Sequence, residues 1–116
     1  VDNDKMLVAQ WGSEVDAKTW MAKNPGHLAL ISFAHTDVIK EDAHITGHLD
    51  GLTKYDGGLL VSDWITGDVW SISRNGNIHV RYNFGPGTAD ISVAEELKLL
   101  LVPQMNQNKL LAVQLD

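Results

Sequence analysis

The clearest pattern in the chain is an alternation. Ile78, Val80, Tyr82 and Phe84 are separated by His79, Arg81 and Asn83. Period two is the signature of a half-buried β-strand, because successive side chains leave opposite faces of the sheet. Asn75-Gly76 stands just before it, a pair suited to a two-residue hairpin in which both turn positions need positive φ. Asp56-Gly57-Gly58 leads into Leu59-Leu60-Val61, another turn feeding a strand, and Gly85-Pro86-Gly87 breaks the chain again.

These short strands recur. Gly26-His27-Leu28-Ala29-Leu30-Ile31 aligns with Gly67-Asp68-Val69-Trp70-Ser71-Ile72, 41 positions on. A further 41 positions reach Asn108-Lys109-Leu110-Leu111-Ala112-Val113. A second series joins Val8-Ala9-Gln10-Trp11, Val61-Ser62-Asp63-Trp64 and Val102-Pro103-Gln104-Met105, spaced by 53 and then 41, so the first copy carries about twelve extra residues. A third pairs Gly47-His48-Leu49-Asp50-Gly51-Leu52 with Gly87-Thr88-Ala89-Asp90-Ile91-Ser92 at an offset of 40. A repeat of this length built from four strands has the size of one β-propeller blade.

The expected fold is therefore all-β, a partial β-propeller of about three antiparallel blades. The first, near 6–42, has strands near 6–11, 27–33 and 37–42. The second, near 48–83, has strands near 48–53, 59–64, 68–73 and 77–83. The third, near 88–115, has strands near 88–93, 98–103 and 109–115. Two stretches compete with strand. Ser13 to Lys23 reads as a helical turn or a loop inside an insertion at 13–24, with Ser13 and Asp16 resembling a capping box and Asn24-Pro25 ending it. Ala94 to Leu101 is rich in helix formers, but the repeat favours a turn at Ala94-Glu95-Glu96 followed by a strand.

Composition narrows the chemistry. The 116 residues carry a formal charge of −6 and no cysteine. That removes disulfide scaffolds, thiolate metal sites and cysteine nucleophiles. An acidic chain is a poor partner for nucleic acid, whose phosphates need a basic surface. No apolar run is long enough for a membrane-spanning helix, so neither nucleic acid nor membrane is an expected partner. The chain opens on Val1 without a signal-peptide pattern, so a removed leader and a longer N-terminus are both open. The compartment is undecided, and only a removed leader would imply a periplasmic or secreted soluble protein.

Gly47-His48-Leu49-Asp50-Gly51-Leu52, Leu60-Val61-Ser62-Asp63-Trp64, Gly67-Asp68-Val69-Trp70, Asn75-Gly76, Ala89-Asp90-Ile91 and Leu100-Leu101-Val102-Pro103 follow one another in order. This series resembles the blades of six-bladed propellers of the NHL-repeat and gluconolactonase/regucalcin-like superfamily, over residues 6 to 115. The resemblance implies a ring of six blades, of which this chain supplies fewer than three. A row of blades leaves apolar faces and strand edges open. The expectation is self-association through the terminal blades, two copies closing one ring, unless the chain is a piece of a longer protein.

Hydrolytic members of that group hold a metal on their inner strands with acidic and asparagine ligands. Asp50-Gly51 matches one such position; the glutamate near the start and the asparagines from other blades have no clear match. The repeat places Asp50 and Asp90 equivalently, three residues after a glycine, where they are candidates for a divalent ion such as Ca²⁺. The plainer reading has both accepting hydrogen bonds from turn amides. His48, beside Asp50, is a candidate ligand-binding residue, as is Asp63; for Asp63 the plainer role is to cap the turn toward Gly67 while Trp64 packs between blades. The other histidines are His27, His35, His44 and His79, and His44 and His48 stand four apart without a helix to align them. Gly85-Pro86-Gly87-Thr88 lacks the helix and lysine of a phosphate loop, and no serine has evident histidine and aspartate partners. The leading expectation is a noncatalytic module binding a protein or a small molecule. The rival is a metal-dependent, lactonase-like hydrolase.

Overall fold

The computed structural model describes residues 4–34 and 38–115, with the backbone alone for residues 38–43. The described residues form antiparallel β-sheets and contain no α-helix. The chain divides into two compact units at Leu49/Asp50.

The first unit is one sheet built around a long strand. β1 (Lys5–Ala9) and β2 (Gly12–Val15) share one edge of β3 (Ala22–Ser32), and β4 (Val38–Gly47) lies along the other. β1 pairs with the second half of β3, Ala9 opposite Leu28; β2 pairs with its first half, Gly12 opposite Pro25. The step between them falls at Gln10-Trp11, where the Gln10 N–H donates to the His27 carbonyl at 3.1 Å. Leu28, Ala29, Ile45 and Leu49 are buried here.

The helical turn expected within 13–23 is absent, and the insertion forms a β-hairpin. The Asp16 carboxylate accepts the Lys18 and Thr19 N–H groups at 2.7 and 3.0 Å, and the Asp16 N–H donates to the Met21 carbonyl. This is the side-chain turn that aspartate offers the backbone in competition with helix. Those contacts, Thr19 first and Lys18 second, hold the Asp16 carboxyl below the usual aspartate range. Glu14 and Trp20, at φ 55 and 64, leave the right-handed region and complete the reversal. Strands expected near 27–33 and 37–42 are thereby lengthened to 22–32 and 38–47; the start of the second expected strand, residue 37, lies outside the described residues.

The second unit holds two sheets. β5 (Leu49–Tyr55), β6 (Gly58–Asp63), β7 (Asp68–Ile72) and β8 (Ile78–Asn83) form an antiparallel meander. β9 (Ser92–Ala94), β10 (Leu99–Gln104) and β11 (Lys109–Gln114) form a three-stranded one, extended by a bridge between Thr88 and Gln104. Six of the seven strands expected in this half are present within a few residues; the one expected near 88–93 is reduced to Ser92–Ala94 and the isolated bridge at Thr88. The Ala94–Leu101 stretch resolves as a single 3₁₀ turn, Glu95–Leu97, then β10, so the repeat outweighs helix propensity. Leu60, Val69, Ile91, Leu100, Val102 and Leu115 form the core, with Tyr55, Tyr82 and Phe84 packed against it.

The two hairpin signals exchange roles. Asp56 and Gly57 both have positive φ, 50 and 75, and form the two-residue turn from β5 to β6. At Asn75-Gly76 only Gly76 is positive, at φ 85. The Ser73 N–H reaches the Asn77 carbonyl at 2.9 Å, which leaves a three-residue loop instead of the expected two-residue turn.

Candidate functional site

The residues that recur along the repeat divide into two groups, those bonded into the fold and those that are not. At the end of the second strand of each copy stand Gln10, Asp63 and Gln104. The Gln10 side-chain oxygen accepts the His27 N–H at 3.3 Å. Asp63, 4% exposed, accepts the Ile65 and Thr66 N–H groups at 2.9 and 3.1 Å, while its carbonyl accepts the Gly67 N–H. This is the cap expected for Asp63, and it occupies the side chain that was also a candidate ligand-binding residue. Gln104 donates from Nε2 to the Thr88 hydroxyl at 2.7 Å, and that hydroxyl donates onward to the Gly85 carbonyl. Gln104 Oε1 is buried without a partner among the described residues. Trp64 and Met105, one position further on, meet directly: the indole N–H points to the Met105 sulfur at 3.4 Å.

His48 belongs to the same group. It is buried just after β4, its Nε2 accepts the Ala22 N–H at 2.9 Å, and its ring meets the edge of Trp11 at 5.8 Å between centroids. A ring nitrogen that accepts a backbone N–H carries no proton in that arrangement and has no lone pair left for a metal. His44 is exposed on β4, so the two histidines do not share a face. His27 shares a hydrogen bond with the Thr46 hydroxyl at 3.1 Å, and His79 is exposed on β8. His35 lies outside the described residues.

Asp50 and Asp90 are the exception. The expected hydrogen bonds from turn amides are not made: among the described residues neither carboxylate accepts one. Asp50 is exposed as a residue, yet its carboxyl titrates above the usual aspartate range. Loss of surrounding water is the larger cause and the charge of Asp90 the second. Gly51 brings the two acids together. A Cβ on Gly51 would collide with the Ile91 backbone nitrogen and stand 3.0 Å from the Asp90 Cα, so only glycine allows this approach. Ser62 closes the junction. Its Oγ accepts the Gly51 N–H at 2.8 Å and donates to the Ala89 carbonyl at 2.7 Å. Nothing in the residue pattern marked Ser62, because one hydroxyl bridging two distant backbones leaves no local signature.

As a metal site the pair is partial. Two carboxylates suit a hard cation in charge and donor type. Among the described residues no group of three or more histidine, cysteine, aspartate or glutamate side chains stands together, so further ligands would be carbonyl oxygens, amides or water. Comparison with family models, with curated proteins and with solved structures found no match to this chain.

Proposed function

We propose that this chain is a noncatalytic binding and assembly module built from propeller-type blades. One observation carries the reading: the polar residues that recur at the repeat's strand ends, Gln10, Asp63 and Gln104, are bonded to neighbouring groups of their own unit. Residues that recur with the fold and serve the fold are what a repeat scaffold duplicates. On such a scaffold, function lies on exposed surfaces, here including the edge of β11, unpaired among the described residues, and the exposed Leu97, Met105 and Leu110. The experiment is sedimentation velocity across micromolar concentrations. A module that assembles with itself gives a concentration-dependent dimer; a stable monomer throughout removes self-assembly from the proposal.

Asp50 and Asp90 favour a second reading, the metal-dependent, lactonase-like hydrolase that the resemblance implies. Two carboxylates that accept no hydrogen bond among the described residues and repel each other would gain from a cation between them. A divalent ion held there would polarise a carbonyl or activate water. Ca²⁺, Mn²⁺ or Zn²⁺ would then raise the thermal midpoint, a chelator would reverse the shift, and Asp50→Asn would abolish it. An unchanged midpoint with all three ions sinks this reading and leaves the module reading untouched.

A further inference from the structure

One cavity in the second unit combines charge, shape and a redirected side chain. It has a volume of about 580 Å³ and lies at the end of the sheet where β5 turns into β6 and β7 into β8. Tyr55, Asp56, Ser71, Ser73, Arg74 and Arg81 line it. Two of the chain's nine cationic side chains therefore meet in one hollow of an acidic protein. Among the described residues neither guanidinium has a carboxylate within ion-pair distance.

Both arginines are placed by the fold. On β8, Val69 pairs with Tyr82 and Trp70 with Val80, which leaves Arg81 as the extra residue of a β-bulge. A bulge turns a side chain away from the direction that strict alternation would give it. The Arg81 guanidinium lies 5.4 Å from the centre of the Tyr55 ring and 5.5 Å from that of Tyr82. Both rings pack against the core, so the cation rests on a fixed aromatic support. Arg74 lies across the Asp56-Gly57 turn, where a Cβ on Gly57 would come within 2.8 Å of its guanidinium carbon. The Ser73 hydroxyl accepts the Asn77 N–H at 3.0 Å, which leaves its own proton to donate.

We propose that this cavity is a binding site for a small organic oxyanion, whose phosphate or carboxylate group sits between Arg74 and Arg81 with Ser73 as a further donor. A permanently charged, planar guanidinium matches these groups with two parallel N–H bonds. Asp56 disfavours a bare anion and suits one that also carries hydroxyl groups.

The test is isothermal titration of the whole chain at low ionic strength with glycerol phosphate, citrate and, as a reference, sodium chloride. Saturable one-to-one binding of glycerol phosphate identifies a phosphate site, and of citrate a carboxylate site. Arg81→Gln and Arg74→Gln are each expected to weaken binding about tenfold, the scale of one charge-assisted contact. Lys98→Gln, outside the cavity, is expected to leave it unchanged. Arg74 is exposed, so its variant remains informative if Arg81→Gln does not fold. Absence of saturable binding by either organic anion overturns the proposal, as does equal weakening by all three substitutions, which marks nonspecific screening.

Discussion

Two aspartates show how the same residue type is put to opposite uses. The buried Asp63 carboxylate completes two backbone N–H groups, and removing it strands them. Asp63→Ala is expected to cost about 1 kcal/mol in urea unfolding, the scale of a lost cap. Ile65 is half-buried and Thr66 exposed, so water can reach the freed N–H groups. Asp63→Asn keeps an acceptor and should cost less. Asp50 works the other way. Its carboxyl titrates above the unfolded value near 4. The protonated form is therefore the one that favours folding. Its contribution is complete below the unfolded pKa and is lost as pH rises through the higher folded value. Asp50→Asn mimics the protonated group, so it should raise the thermal midpoint at pH 7 and make little difference near pH 3. The effect is small because the residue is largely open to solvent. An Asp50→Asn midpoint below wild type at neutral pH would show that the carboxylate has a stabilising partner.

At the scale of elements, the junction of β5 with the segment leading to β9 depends on Gly51 having no side chain. A methyl group there would stand 2.7 Å from Ser62 Oγ and collide with backbone at Ile91. Backbone cannot yield as a flexible side chain does, so Gly51→Ala is expected to destabilise by about 3 kcal/mol or more, at the upper end for overpacking. Gly76→Ala, where no atom lies within 4 Å, carries only the strain of its positive φ and serves as the comparison. If the two variants unfold at the same urea concentration, close approach is not what requires glycine at position 51. This junction also marks what the sequence could disclose. Strands of the second unit were legible from apolar residues beside a bounding turn, as on β6, and β10 adds clean period-two burial at Leu100, Val102 and Gln104. The hairpin after β2 was not, because Asp16 offers the same local bonds to a helix start and to a turn. Glu14 and Trp20 in the left-handed region decided the outcome without a glycine to announce it. The repeat placed the candidate acids at equivalent positions; the approach at Gly51 that brings them together had no signal in the pattern. That they accept no hydrogen bonds among the described residues, and that Arg81 is redirected by a bulge, follows from register and packing across distant strands.

At the scale of the molecule, the described third sheet ends on β11, whose outer edge has no strand paired to it among the described residues. Unpaired N–H and C=O groups on such an edge invite another strand unless charge or proline blocks them. β11 carries one charged residue, Lys109, and no proline, while Leu110 is 66% exposed beside it. An exposed leucine on an open edge favours association through hydrophobic burial as well as strand pairing. If copies of the chain associate through this edge, a carboxylate at position 110 must either shed its water or hold the two edges apart, and both outcomes disfavour the dimer. Leu110→Glu is therefore expected to weaken self-association about tenfold or more in sedimentation equilibrium, while leaving the urea midpoint of the dilute protein unchanged, since an exposed side chain contributes little to the core. Asp68→Asn, on β7 away from that edge, should leave the association constant as it is. A Leu110→Glu variant that associates as tightly as wild type moves the interface off β11, and the apolar side chains of Leu97 and Met105 become the next positions to charge.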